Sequence, residues 1–400
     1  MAKQKRSADF GLFKPKNIFN FVFTEERRSG VLLIVAALAA LIIANTGYSE
    51  VYFNWLGKYF TLGGVHLNIS HWIGDGLMAL FFLAVGLEVK RELIDGELRS
   101  WKKASFPIIA AIGGMLLPAF LFSLLNPYLP QSNGWAIPMA TDVAIAVGAI
   151  GLLGKRIPRP LRVFLLTLAI VDDIGSILVI GLFYNHPTNM LALISAVIVC
   201  IAMAVLRNKK HWPSYFLVLG ITLWYLMLNA GVSATMSGVL IAFLMPLYTR
   251  SKKMKKLQSS EVIEDILVPI ASFFVVPLFV FANAGFQFSN VAKLDGASVP
   301  VFVGILLGLF VGKPVGILLA GWLGQTLKLS RKPAGSTWGQ IAGIGYLAGI
   351  GFTVSLLVAN LAYRNEIALL NAATFGIFAA SVLSGVVGIM VLRATSNSKA

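Results

Sequence analysis

The sequence predicts an all-α polytopic membrane protein with twelve transmembrane helices and a small β-hairpin on the external side. Three observations predict it. Of 400 residues, 57% are hydrophobic and only 12% charged, with a mean hydropathy of +0.80; soluble domains carry about 25% charged residues. Apolar windows of about 20 residues, long enough to cross a bilayer, recur along the whole chain. Lys and Arg alternate between the connecting segments so strongly that they assign each one a side. This composition excludes an ordinary cytosolic enzyme, a disordered chain and a nucleic-acid binder.

The windows fall near 30–46, 69–89, 104–126, 134–153, 160–183, 188–206, 212–228, 231–248, 263–284, 299–322, 339–361 and 367–392. Their connections are short, so residues 30–392 read as one domain between an N-terminal tail, 1–29, and a C-terminal tail, 393–400. Of the 33 Lys and Arg, all but Lys58, Lys293, Arg364 and Lys313 lie on the side of the N-terminus. By the positive-inside rule that side is cytoplasmic for both tails, and the even number of spans agrees. The net charge of +16 is therefore an orientation signal with some attraction to anionic membrane lipid, not a nucleic-acid footprint. Cys200 is the single cysteine, which leaves neither a disulfide framework nor a thiolate metal site. The first 29 residues show no cleavable signal peptide.

The external connection 51–69 is aromatic and β-branched around Gly63-Gly64, which predicts a β-hairpin. An amphipathic loop lying on the bilayer surface is the alternative. A lone hairpin is marginal in water and needs something to pair with.

Charges inside the windows are the informative ones, because an ionisable group at bilayer depth costs at least about 2.5–3.5 kcal/mol. Those that stand clearly within the windows are Asp75, Asp142, Asp172, Asp173 and Lys313. Asp172 and Asp173 stand mid-window in LAIVDDIGSI; neighbouring helical residues point about 100° apart, so the two carboxylates face different surroundings. Asp142 and Thr141 follow the helix breaker Pro138 in GWAIPMATDVAIAVG. The eleventh window, GQIAGIGYLAGIGFTVSLLVAN, is interrupted by repeated glycines. The fourth and eleventh windows are each the middle of a triplet, and paired interruptions point to a secondary transporter with an ion site between broken helices. Lys313, buried in FVGKPVGILL, has two uses, which are compatible: pairing with an aspartate and neutralising the negative ends of broken helices. Asp75 is either a functional external carboxylate or a satisfied cap. GLEVKREL (86–93), with Glu88, Arg91 and Glu92, is either a solvated helix end or a funnel that attracts cations.

Carboxylates, a hydroxyl and unwound carbonyls are hard oxygen donors suited to a small hard cation. A carboxyl group taken out of water carries a proton or a cation more readily than a bare charge. Proton and cation then compete for one site, and a site that crosses only when filled is an exchanger. No cofactor and no covalent chemistry are needed, so an enzyme is not expected. An intramembrane aspartyl protease needs Gly-x-Gly-Asp, which neither WIGD at Asp75 nor MATD at Asp142 supplies. A cation-coupled symporter for an organic solute is the rival carrier; it needs extra polar groups that windows seven, eight and twelve lack.

GLEVKREL (86–93), FPIIAAIGGM (106–115), GWAIPMATDVAIAVG (134–148), LAIVDDIGSI (168–177), FANAG (281–285), GKPVGI (312–317) and GIGFTVSL (349–356) resemble the bacterial NhaA Na+/H+ antiporters, in order and from about 70 to 395. The resemblance implies inverted repeats at helices three to five and ten to twelve, with broken helices four and eleven crossing. It implies Na+ or Li+ at Asp173, Asp172 beside it exchanging protons or pairing with Lys313, and Asp142 and Lys313 compensating helix dipoles. It places Glu88, Glu92 and Glu264 in the pH response, a homodimer through the 51–69 hairpin, and the chain in the bacterial inner membrane. The adjacent aspartates resemble the electrogenic exchangers, with a role in Na+ and pH homeostasis. The sequence departs from the family where pH is sensed. GVSAT (231–235) has Ser233 for a histidine, Asp265 and Val268 stand where some members have histidines, and Ile145 replaces a phenylalanine. No pH profile carries over.

Overall fold

In the computed structural model, residues 15–184, 188–209, 211–246, 259–291 and 296–396 are described. The tail residues 1–14 and 397–400, the basic run 250–256, His186, Lys210 and Lys293 lie outside them. Among the described residues, seven helices are long and apolar enough to cross a membrane, or nine if two bent pairs each count as one span.

The chain runs through α1 (Pro15–Ala44), α2 (Ser49–Gly57), β1 (Tyr59–Leu62), β2 (Val65–Asn68) and α3 (Ile69–Ile94). Next come α4 (Trp101–Leu125), a 3₁₀ segment (Gln131–Met139), α5 (Val143–Leu153) and α6 (Arg159–Phe183). Then follow α7 (Met190–Leu206), α8 (Trp212–Asn229), α9 (Met236–Leu244), α10 (Ser259–Ile270) and α11 (Val276–Asn283). The last are α12 (Ser298–Thr326), α13 (Trp338–Ala348), α14 (Phe352–Ala362) and α15 (Ile367–Ser396). The expected windows at 188–206 and 231–248 are occupied by α7, of 17 residues, and α9, of only nine.

The helices are apolar on their outer faces as well as inside. Ile112, Leu116, Phe120 and Leu124 of α4 are exposed at four-residue spacing, one continuous stripe of a helix. A stripe of that kind suits hydrocarbon, because in lipid a helix satisfies its own backbone and needs no polar coat.

The expected 51–69 hairpin is shorter in the structure. Only Tyr59–Leu62 and Val65–Asn68 pair, antiparallel, with Leu62 opposite Val65. Gly63 and Gly64 both have positive φ, the pair of left-handed residues that a tight two-residue hairpin turn demands. Residues 51–57 are helical instead. Tyr52 and Leu56, one helical turn apart, bury the same face of α2, and the Tyr52 hydroxyl donates to the Phe281 carbonyl.

Close backbone approach decides the interior. A Cβ on Gly113 of α4 would stand 2.4 Å from the Gly316 carbonyl oxygen of α12, and one on Gly316 would stand 2.2 Å from that of Gly113. Any side chain at either position would drive the two helices apart, and small residues at such crossings let membrane helices pack backbone to backbone. This contact fixes α12, and with it Lys313, beside α4.

Regular α-helix is interrupted at two places in the described residues. The 3₁₀ segment containing Pro138 ends at Met139; Ala140 and Asp142 are extended, and α5 begins at Val143. α13 stops at Ala348, and α14 restarts at Phe352 with a bend of 46°. A π turn, Gly308–Gly312, interrupts α12 just ahead of Lys313, and another, Trp72–Leu77, contains Asp75. Single π turns inside helices recur at functional positions.

Candidate functional site

The two interruptions meet. The Asp142 backbone N–H donates to the Ile350 carbonyl at 2.6 Å, and the Ser355 hydroxyl donates to the Ile137 carbonyl at 2.8 Å. The breaks therefore supply one another's missing hydrogen bonds, which buried backbone groups require.

Asp142 caps two helices at once. Its Oδ1 accepts from the Ile145 N–H in the first turn of α5, and its Oδ2 from the Thr353 N–H in the first turn of α14, both at 3.1 Å. A carboxylate at the positive ends of two helices satisfies orphan donors and offsets two dipoles. The opposite ends receive donors. Lys313 Nζ donates to the Met139 carbonyl at the end of the 3₁₀ segment. The Thr141 hydroxyl lies 2.9 Å from the Ala348 carbonyl that ends α13.

Asp172 closes this group. Its Oδ2 lies 2.9 Å from Lys313 Nζ and 2.6 Å from the Thr141 hydroxyl, and neither Asp172 nor Lys313 has any exposed surface. Its other oxygen, Oδ1, is buried without a hydrogen-bond partner. Asp173, one residue on, is half-buried and makes no hydrogen bond or ion pair among the described residues. The charges of Glu88, Asp172, Asp142 and Lys313 all act on it. Thr141, Asp142, Asp172, Asp173 and Lys313 are thus assembled from three separate segments, with Asp172 Oδ1 and the Asp173 carboxylate left open. Oxygens of this kind suit a hard monovalent cation as cargo. Among the described residues no cluster of three or more His, Cys, Asp or Glu has the form of a resident metal site.

The remaining candidates lie apart. Arg91 pairs with Glu264 at 3.0 Å, joining α3 to α10, and Glu92 accepts from the Glu97 N–H at 3.0 Å. Glu88, partly buried on α3, is within electrostatic reach of Arg91 and Glu92 and of Asp173. Asp75 pairs with Arg364 at 3.0 Å, a partner 289 residues distant that no local pattern announces. Its backbone carbonyl also accepts from Trp224 Nε1. Lys90, within GLEVKREL, counts in the sequence only toward orientation. Its Nζ donates to the carbonyls of Ala242, Phe243 and Met245, so it caps the C-terminus of α9. The mixed-sign run GLEVKREL was its only signal.

Apolar helices with lipid-facing stripes, around a buried constellation of opposed charges, define a multi-pass membrane protein of the ion-carrier class. A family model described as Na+/H+ antiporter 1 matches residues 20–392, and the chain belongs to that family. It is 42% identical to "Na(+)/H(+) antiporter NhaA 1" of Klebsiella pneumoniae subsp. pneumoniae, across 95% of this chain and 97% of the relative. It is 43% identical to "Na(+)/H(+) antiporter NhaA 2" of Pseudomonas syringae pv. syringae, across 93% of each. With "Na(+)/H(+) antiporter NhaA 1" of Clostridium beijerinckii it shares 40% identity over 95% of this chain and 96% of the relative.

Proposed function

We propose that this protein exchanges Na+ or Li+ for protons across a bacterial inner membrane, electrogenically, in the service of Na+ and pH homeostasis. The observation that carries the reading is the contrast between two adjacent carboxylates. Asp172 is held by Lys313 and Thr141, whereas Asp173 makes no hydrogen bond or ion pair among the described residues. Asp173 takes the cation or a proton, and Asp172 either stays with Lys313 or releases it and joins the exchange. Asp142 and Lys313 keep the broken ends compensated through the cycle, so that the crossing persists whichever ion is bound. Because a filled carboxylate is neutral and a bare one is not, the carrier crosses only when occupied.

The architecture proposed with it is twelve spans, both tails cytoplasmic, with inverted repeats that place the breaks in helices four and eleven. Glu88, Arg91, Glu92 and Glu264 form the cytoplasmic funnel and tune the response to pH, and Asp75 lies on the external side. A homodimer through the hairpin completes the assembly.

The test is reconstitution in proteoliposomes loaded with a pH dye. An inward Na+ pulse drives protons out of the vesicles if the protein exchanges, and no organic solute is needed. Asp173→Asn abolishes that flux while the protein still folds and inserts, since an amide cannot swap a proton for a cation. Near-normal flux in Asp173→Asn overturns the site assignment.

A further inference from the structure

The connection between α12 and α13 holds a second polar site, far in character from the aspartates. Gln325, Lys328, Ser330, Arg331 and Lys332 line a cleft of about 510 Å3. The backbone here is folded onto itself: the N–H groups of Leu329 and Ser330 both donate to the Gly324 carbonyl, at 2.9 and 3.1 Å. Lys328 is held with φ +59°, a left-handed conformation rare for a side chain of this kind. Lys332 is fixed by a 2.9 Å bond to the Ser336 carbonyl and by its place 5.8 Å above the Trp338 ring.

Three cations thus share one cleft, and among the described residues no carboxylate pairs with any of them. Ser330 contributes to the same cleft but is only 5% exposed, its hydroxyl turned inward against Gly324. Beside the cleft, Trp322, Leu323, Leu327 and Leu329 are all about half or more exposed, the apolar surface that meets acyl chains.

We infer that this cleft binds the phosphodiester headgroup of an anionic glycerophospholipid in the leaflet on the Lys/Arg-rich side. Arg331 presents a planar fork to two phosphate oxygens, Lys328 and Lys332 supply point charges, and Gln325 donates a hydrogen bond. The chemistry alone fits any phosphate. The apolar flank is what favours a lipid, because a free anion has no use for it, and the position in the same face as the other basic residues suits an anionic leaflet. The inference stands apart from the exchange reading, since none of these residues touches the aspartate site.

Native mass spectrometry of the purified protein, titrated separately with phosphatidylglycerol and phosphatidylcholine, tests it. Each cation removed weakens headgroup binding about fivefold. Lys328→Gln, Arg331→Gln and Lys332→Gln together therefore lose the tightest phosphatidylglycerol, by roughly 100-fold. The equal-charge control Arg207→Gln, Lys209→Gln and Arg393→Gln keeps it. Arg331→Gln alone gives about fivefold, which keeps the test decisive if the triple variant folds poorly. Equal losses in control and triple variants overturn the inference, as does equal retention of phosphatidylcholine. Displacement by inorganic phosphate at the lipid's own concentration overturns it too, by showing a site for phosphate alone.

Discussion

Lys313 and Asp172 form an ion pair 2.9 Å across, from helices 141 positions apart in sequence, and neither side chain is exposed. Removing one member of a buried pair strands the other charge, at about 3–5 kcal/mol, whereas removing both costs much less. Lys313→Met is expected to lower thermal stability in detergent sharply. Lys313→Met with Asp172→Asn recovers a large part of the loss. A double variant no more stable than the single one would mean that Lys313 serves the Met139 carbonyl rather than the pair.

Asp142 holds two helix starts, so its loss is felt twice. Asp142→Ala is expected to cost about 1–4 kcal/mol, the sum of two N-caps at about 0.5–2 kcal/mol each. Asp142→Asn keeps acceptors and costs less, while losing the charge that faces both dipoles. Unfolding followed by tryptophan fluorescence ranks wild type above Asp142→Asn above Asp142→Ala. Wild-type stability in the alanine variant contradicts the double cap.

Two carboxylates at the crossing let more than one proton move per cation, so each turnover carries net charge. Membrane voltage then contributes about 2.3 kcal/mol per charge per 100 mV. Exchange in vesicles clamped with K+ and valinomycin is expected to change rate when the potential changes. Identical rates at zero and imposed potential rule out electrogenic exchange.

Exchange is expected to rise with pH, because protons outcompete Na+ for the same oxygens at low pH and give way as proton activity falls. Ser233, hydrogen-bonded to Thr235 at 2.7 Å, stands at the position where the family resemblance implies a histidine. A histidine there gains charge below about pH 6.5. Ser233→His is expected to displace the pH profile measured at saturating Na+. Superimposed profiles show that position 233 does not tune the response and that competition at the aspartates sets it alone.

The outward residues of the hairpin, Tyr59, Phe60 and Leu62, are exposed, and its free edge offers unpaired backbone groups to a second copy. Replacing residues 60–67 by a short Gly-Ser linker is expected to give monomers in native mass spectrometry that still exchange. Unchanged dimers place the interface elsewhere.

Much of the architecture was legible in the sequence because its causes are local. Apolar length marks the long helices, seven to nine of which could cross a membrane among the described residues, and Gly63-Gly64 marks the hairpin turn. The strands are shorter than the expected 51–69 because VYFNWL carries both β-branched or aromatic character and a four-residue spacing. Burial of Tyr52 and Leu56 against the rest of the protein favoured the helix.

What the sequence by itself determined is the list of charges that lipid would not tolerate unpaired: Asp75, Asp142, Asp172, Asp173 and Lys313. Composition shows such residues directly, because the cost of a charge at membrane depth does not depend on where the partner lies. The partners were decided only by the tertiary structure. Arg364 reaches Asp75, Lys313 reaches Asp172 rather than Asp173, and Asp142 caps α14 as well as α5. The acceptors at Met139, Ala348 and Ile350 are backbone carbonyls, which every residue carries and no sequence pattern marks. They become a site only where the two interrupted segments, far apart in sequence, are brought together in the fold.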